Sequence, residues 1–324
     1  MIKYNLVKKS SGLILAHSIK LTNKTLRKGK IILKEDINDL INDDIKKIYV
    51  FQLKKEHIRE DTAANKLANY IIGNNIIVKK PINGRADFYS KTNGMLHFNV
   101  QKLIDLNLYN DDIAISMLKS ETIVKKNQLL GNVKVLPYAI KEEYIKKNLK
   151  KNISKFINVI KPKLNNITLI ISSNDQNLKL QKKIINSLDL RLQAFNLKIT
   201  NIYYNKHSLV DLENSLKITA LKKPDLLMIF GSTSIVDKND IIPQAIKNQN
   251  GKIISFGAPT DPGNLLLLGS LKDIKLIGVP GCAKSIQRNG FDVILEKLCY
   301  GLKINKKTIA EMSNGGLYKN LFKA

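Results

Sequence analysis

The chain of 324 residues has no tryptophan, two cysteines and four histidines. Arginine is confined to Arg27, Arg59, Arg85, Arg191 and Arg288. Sequence-specific readers of nucleic acid favour arginine forks and stacking aromatics, so these scarcities argue against that class. Cys282 and Cys299 match no zinc or redox spacing, and so few cysteines suit a reducing cytoplasm. His17, His57, His97 and His207 form no metal-ligand spacing, and no Ser-His-Asp or Cys-His arrangement can be read. No apolar run approaches ~18 residues, which predicts no transmembrane helix. The start, "MIKYNLVKKSSGLILAHS", is basic, but its apolar part at residues 12–16 is too short for a signal peptide. A P-loop, a G-x-G-x-x-G element and a repeat of ~20–50 residues are all missing.

What the chain does have is lysine. Lys and Arg number 54 against 27 Asp and Glu, a formal charge of +27. The lysines are spread among abundant Asn and Ile, which reads as a compositional bias. A generally positive field would also draw in a phosphorylated small molecule. A basic nucleic-acid-binding protein stands as an alternative, with steeply salt-dependent affinity as its mark.

The length suggests two domains. Residues 1–140 read as a mixed α+β, β-rich domain. In it, Asp36 is expected to cap a helix over 36–42, residues 48–53 to form a strand, and "EDTAANKLANYIIG" an amphipathic helix. Asn83-Gly84 and Asn93-Gly94 predict a hairpin, and residues 122–140 continue in β style. Residues 141–162 read as a Lys-rich connecting helix, with Ile145, Leu149, Ile153, Phe156 and Ile160 at helical spacing and Pro162 as its stop. Residues 163–306 alternate apolar strands with helices. "ITLIISS" and "DLLMIFGS" are continuous apolar runs of the kind buried in parallel sheets. This order predicts an α/β domain, an open, mostly parallel sheet with helices on both faces. Residues 307–324 read as a tail.

Ligands of such sheets bind beyond the carboxyl ends of the strands. Four loops are candidates. In "FGSTSIVDKND", Gly231 admits close backbone approach, and Ser232, Thr233 and Ser234 offer hydroxyls and amides to an anion. Asp237 and Asp240 there are candidate ligands for a divalent cation. Pro262, Gly263 and Asn264 form an elbow after Asp261. Pro280, Gly281, Cys282 and Lys284 lie where a strand runs into a helix start, which suits a phosphate and lowers a thiol pKa. The loop "SSNDQN" adds Asp175. Each loop taken alone is ordinary turn and capping chemistry. His207 follows a strand on the same predicted edge, where a helix-entry role is the plainer reading.

Taken together and in this order, the loops resemble the molybdopterin-binding domain of molybdenum-cofactor biosynthesis proteins, and the molybdopterin molybdenumtransferases most closely. That family carries G-G-x-S-x-G-x-x-D after a strand; here stand Gly231, Ser232, Thr233, Ser234, Ile235 and Val236, with Asp240 matching after one insertion. Its P-G-K-P corresponds to Pro262, Gly263, Asn264 and Leu265, and its P-G-N-P to Pro280, Gly281, Cys282 and Ala283. Its S-T-G-[DN]-E loop appears as Ser172 to Gln176. The resemblance covers residues 165–301 and, more loosely, 10–140. It implies molybdopterin, free or adenylylated, as ligand, held by Gly231, Ser232, Thr233, Ser234, Pro262, Gly263, Asn264, Pro280, Gly281, Cys282 and Lys284. It also implies Mg²⁺ at Asp240 and Asp237, with Asp240 and Asp175 as catalytic residues in molybdate insertion. The alternative within the same resemblance is a non-catalytic carrier serving a nucleotidyltransferase or a molybdoenzyme. Homo-oligomers are common among such proteins. Gln176 in place of the family's Glu, and Asn264 in place of its Lys, depart from the pattern.

Overall fold

The structure is a computed structural model, and it describes residues 2–149, 153–175 and 177–318. The chain divides into two compact units, Met1–Ile160 and Lys161–Ala324. Among the described residues no helix is long and apolar enough to cross a membrane.

The first unit opens with a three-stranded antiparallel sheet in the order Lys3–Leu6, Lys47–Phe51, Ile14–Leu15. Val7, Leu15, Leu21, Leu26, Ile32, Leu40, Ile48 and Val50 form its core. The nearby helix is Lys34–Asn42, so Asp36 lies inside its first turn rather than before it. From there Asp36 accepts the Leu33 N–H at 3.0 Å and pairs with Lys30. The helix Glu60–Ile71 then buries Ala63, Ala64, Leu67, Ala68 and Ile71 within a second core that contains Phe88, Val133 and Ile115. The small side chains let that helix approach a four-stranded antiparallel sheet closely.

Asn83-Gly84 does close a tight turn, with Ile82 and Arg85 exchanging backbone hydrogen bonds of 3.0 and 3.1 Å. Asn93-Gly94 does not join two paired strands: Arg85–Ser90 and Gly94–His97 belong to different sheets.

The connecting helix is shorter than its spacing predicted. It spans Glu142–Leu149, and Asn158–Ile160 is a strand paired with Gly94–His97. Residues 150–152 lie outside the described residues. Lys155 takes a left-handed conformation at φ 50°, which no helix accommodates. Ile153, Ile157 and Val159 are in the first unit's core. Burial in that core, not helical periodicity, decides this segment.

The second unit runs β1 (Ile167–Ser172), α1 (Leu178–Gln193), β2 (Asn201–Asn205), α2 (Leu209–Leu221), β3 (Leu226–Gly231), α3 (Ile241–Asn248), β4 (Lys252–Phe256), β5 (Leu267–Leu271), β6 (Ile274–Gly278), α4 (Gly290–Cys299) and α5 (Lys306–Glu311). Its six-stranded sheet has the order β2-β1-β3-β6-β5-β4. The pairs β1–β2, β1–β3 and β3–β6 are parallel, and β5 is antiparallel to both its neighbours. Every residue of β1 and β3 is buried, which explains their unbroken apolar runs. Ile170, Leu227 and Ile229 pack with Leu212 and Leu216 of α2 and Ile242 and Ile246 of α3. Their strand neighbours Ile171 and Phe230 point to the opposite face, toward Leu180 and Ile184 of α1.

Residues after α4 are more than a tail. Helix α5 is capped by Asn305, whose Oδ1 accepts the Thr308 N–H at 2.9 Å. Farther on, Asp261 donates its N–H to Gly316 O and accepts from the Tyr318 N–H, both at 2.8 Å. Residues 319–324 lie outside the described residues.

Candidate functional site

Strand register places all four candidate loops along one edge of the sheet. Ser172 lies beside Gly231 and Asn205, while Gly278 faces Leu267, which faces Phe256. The ends of β1, β2, β3, β4 and β6 therefore meet the start of β5. Sharing an edge is not sharing a pocket, and the loops divide at this point.

Three of them enclose a cleft of ≈ 160 Å³. Ser173, Asp175 and Asn177 form one side, Gly231, Ser232, Thr233 and Ser234 the second, and Gly281 and Lys284 the third. Ile171, Phe230, Val279 and Ile184 line its floor. Among the described residues, Asp175 and Lys284 bring the only charges to it. Ser173 braces the first loop, accepting the Asp175 N–H at 3.2 Å and donating its hydroxyl to Asp175 O at 3.1 Å. Asn177 caps α1 by accepting the Leu180 N–H at 3.0 Å. Gln176 lies outside the described residues. Ser232 donates its N–H to Ser172 O at 2.8 Å, and Ile235 anchors the loop in the core. Ser232, Thr233 and Ser234 remain exposed between these anchors.

The third side is held from behind. Ser187 of α1 donates its hydroxyl to Ala283 O at 2.8 Å. Arg191 donates to Ala283 O at 3.2 Å, Ser285 O at 2.6 Å and Gln287 O at 3.3 Å. A Cβ on Gly281 would lie 3.4 Å from Ser234 Oγ, so two walls of the cleft nearly touch there.

A second cleft, of ≈ 190 Å³, adjoins the first through shared Thr233 and Ser234. His207, Ile235, Asp240, Ile241 and Ile242 complete it. His207 Nδ1 lies 3.0 Å from Ser172 Oγ, and Nε2 lies 3.3 Å from Thr233 Oγ1. Burial pushes the imidazole below its ordinary value, and the Asp240 carboxylate partly offsets this. The ring thus sits between two hydroxyls, one at each nitrogen.

The remaining expected site residues do other work. Pro262, Gly263 and Asn264 do not line the cleft. Pro262 O accepts the Gly290 N–H at 3.0 Å, and Gly263, at φ +115°, has Gly290 N only 2.5 Å from where a Cβ would be. The elbow thus seats the start of α4. Pro280 is buried outside the cleft lining, and Cys282 likewise is not part of it. Cys282 lies in a short 3₁₀ turn, Gly281–Lys284, and α4 starts only at Gly290. Burial pushes its thiol up, opposite to the lowering expected at a helix start.

No protein-family model matches the chain, and no curated protein matches its sequence.

The expected Mg²⁺ ligands form no cation cage. Asp240 Oδ2 already accepts the Val236 and Asp237 N–H groups, at 2.7 and 2.9 Å. Asp237 Oδ1 accepts the Asn239 N–H at 2.7 Å. Both carboxylates brace the turn that leads into α3. Among the described residues, no group of three or more His, Cys, Asp or Glu could hold a metal ion. Asp175 is across the first cleft, with Asp240 in the second.

Sequence reasoning named the loop that ends at Asn177 but not Asn177 itself, and it missed Gln181 and the environment of His207. Asn177 caps the helix that follows β1 and Gln181 stands at its start. A helix that starts at a ligand edge exposes its first-turn groups there, so they were findable.

Proposed function

We propose that the chain handles molybdopterin in molybdenum-cofactor biosynthesis, gripping the ligand by its phosphate in the cleft between residues 173–177, 231–234 and 281–284. The observation that supports this best is the convergence of three loops, far apart in sequence, on one small space. Among the described residues, that space offers hydroxyls, the Lys284 ammonium and one carboxylate, Asp175. Its volume is below the ~300–1,000 Å³ usual for whole-ligand pockets, so it suits the phosphate end. The rest of the ligand would extend over Thr233 and Ser234 toward His207. The loop resemblance supplies the identity of the ligand.

A carrier role is favoured over that of a molybdenumtransferase. Molybdate insertion asks for Mg²⁺, and Asp240 and Asp237 are engaged as turn braces. The receiving protein on this reading is a nucleotidyltransferase or a molybdoenzyme. Purification from cells that make the cofactor, followed by mass spectrometry of the bound small molecule, tests the proposal. A recovered pterin phosphate supports it. No pterin after high-salt washing, with or without nucleic acid, overturns it. A purified chain that converts molybdate and molybdopterin to the metallated product would overturn the preference for a carrier.

A further inference from the structure

The outer face of the three-stranded sheet at the start of the first unit is covered at one end, where Phe51 stacks on Tyr138 at 5.0 Å, and open at the other. In the pair Lys3–Leu6 and Lys47–Phe51, Tyr4 is opposite Tyr49 and Leu6 opposite Lys47. Their neighbours Ile48 and Val50 point inward to the core. Tyr4 and Tyr49 point outward and remain 58 % and 49 % exposed. Their ring centroids are 4.7 Å apart, and the exposed His17 meets Tyr49 edge-on at 5.4 Å. The Lys47 ammonium lies 5.6 Å from the Tyr4 ring. Leu6, on the same face as Tyr4, also lines a groove of ≈ 470 Å³. Leu6, Ile41 and Ile45 line that groove, and among the described residues Lys8, Lys9 and Lys46 stand there against one acid, Asp44.

Contiguous exposed aromatics, unlike singly scattered ones, mark an interaction surface. Two occupants have the right shape: a second copy of the chain and a stack of bases. Charge separates them. A second copy would bring Lys47 and the groove lysines against their own kind, in a chain already at +27. A polyanion with flat rings matches both features. Aromatic side chains take bases of any kind, and lysines follow the phosphates without reading sequence. The scarcity of arginine, which argues against sequence-specific readout, does not weigh against this mode.

We propose that the outer face of this sheet binds single-stranded nucleic acid without sequence preference, with bases stacked on Tyr4 and Tyr49 and phosphates along Lys47, Lys46, Lys8 and Lys9. This site is in the first unit and is independent of the molybdopterin reading.

The test is fluorescence anisotropy of a labelled oligothymidine of about 20 nucleotides with the full chain at about 50 mM salt. The wild type is expected to bind. Tyr4→Ala with Tyr49→Ala is expected to weaken binding about tenfold or more, while Tyr4→Phe with Tyr49→Phe stays within about twofold. Both double variants keep every charge, so attraction by net charge alone would not distinguish them. Lys8→Gln, Lys9→Gln and Lys46→Gln together are expected to flatten the log–log salt slope by about 2. Unchanged thermal midpoints confirm that the variants fold. Absence of wild-type binding overturns the proposal, as does an alanine pair that binds like wild type. Sedimentation showing a wild-type dimer that the alanine pair dissolves, with no loss of oligothymidine binding, assigns the face to a second copy and also overturns it.

Discussion

Arg191 Nε donates to Asp292 Oδ1 at 2.6 Å, joining α1 to the first turn of α4 with both side chains almost out of solvent. The same guanidinium holds the carbonyls of Ala283, Ser285 and Gln287, the stretch that carries one wall of the cleft. Arg191→Met leaves the Asp292 carboxylate buried with only the Asn289 N–H, at 2.8 Å, as a partner among the described residues. Urea denaturation should show a loss of about 3–5 kcal/mol. Adding Asp292→Asn, which removes the charge and keeps an oxygen for the Asn289 N–H, should restore part of that loss. A double variant no more stable than Arg191→Met would show that the pair contributes little through its charges.

Gly281 permits a graded test of the cleft. An added Cβ makes only an ordinary contact with Ser234 Oγ at 3.4 Å, so Gly281→Ala should bind inorganic phosphate nearly as well as wild type. Gly281→Val places branched methyls in the gap and should weaken binding by about tenfold or more, at roughly 1.4 kcal/mol per decade. Lys284→Ala should weaken it as well, more at low salt than at high. Isothermal titration gives these constants. Equal affinity in all of them would place the anion elsewhere.

Asp240 separates a brace from a metal ligand. Its Oδ2 holds two amides ahead of α3, so Asp240→Ala should cost about 1–2 kcal/mol in thermal or urea unfolding. Asp240→Asn keeps an oxygen acceptor and should recover most of it. Millimolar Mg²⁺ should leave the wild-type melting midpoint unmoved in the absence of ligand. A clear upward shift with Mg²⁺, lost in Asp240→Asn, would restore the metal reading.

His207 makes the acid side of stability diagnostic. Its folded pKa is depressed by burial, against a partial offset from Asp240. The unfolded ring gains its proton first as pH falls. The contribution from His207 is therefore fully present above about pH 6.5 and is lost as pH falls through the folded value. His207→Gln should flatten this part of the melting-midpoint profile between about pH 7 and pH 5. An unchanged acid limb would mean the ring titrates normally in the folded chain.

Much of the second unit could be read from the chain. Residues 167–172 and 226–231 announced buried parallel strands because both faces needed apolar side chains. The helices between them kept their 3.6-residue pattern. The edge that gathers the loops followed from that order. What could not be read was which loops share a cleft. Pro262 and Gly263 look like a ligand elbow in sequence, yet the close approach that Gly263 allows is to Gly290. Asp237 and Asp240 look like a cation pair, yet backbone amides claim Oδ1 of the first and Oδ2 of the second. In the first unit, Ile153, Phe156 and Ile160 fitted a helix by spacing, and the left-handed Lys155 between them gave no local warning. Periodicity reports that a side chain wants burial. It does not report which surface will bury it.

The clasp between Asp261 and residues 316–318 gives synthesis an order of events. Until the ribosome has released Tyr318, the partners of the Asp261 backbone do not exist in space. The bend that seats α4 cannot gain these two bonds before residues 316–318 have left the exit tunnel, more than fifty residues after Asp261 itself.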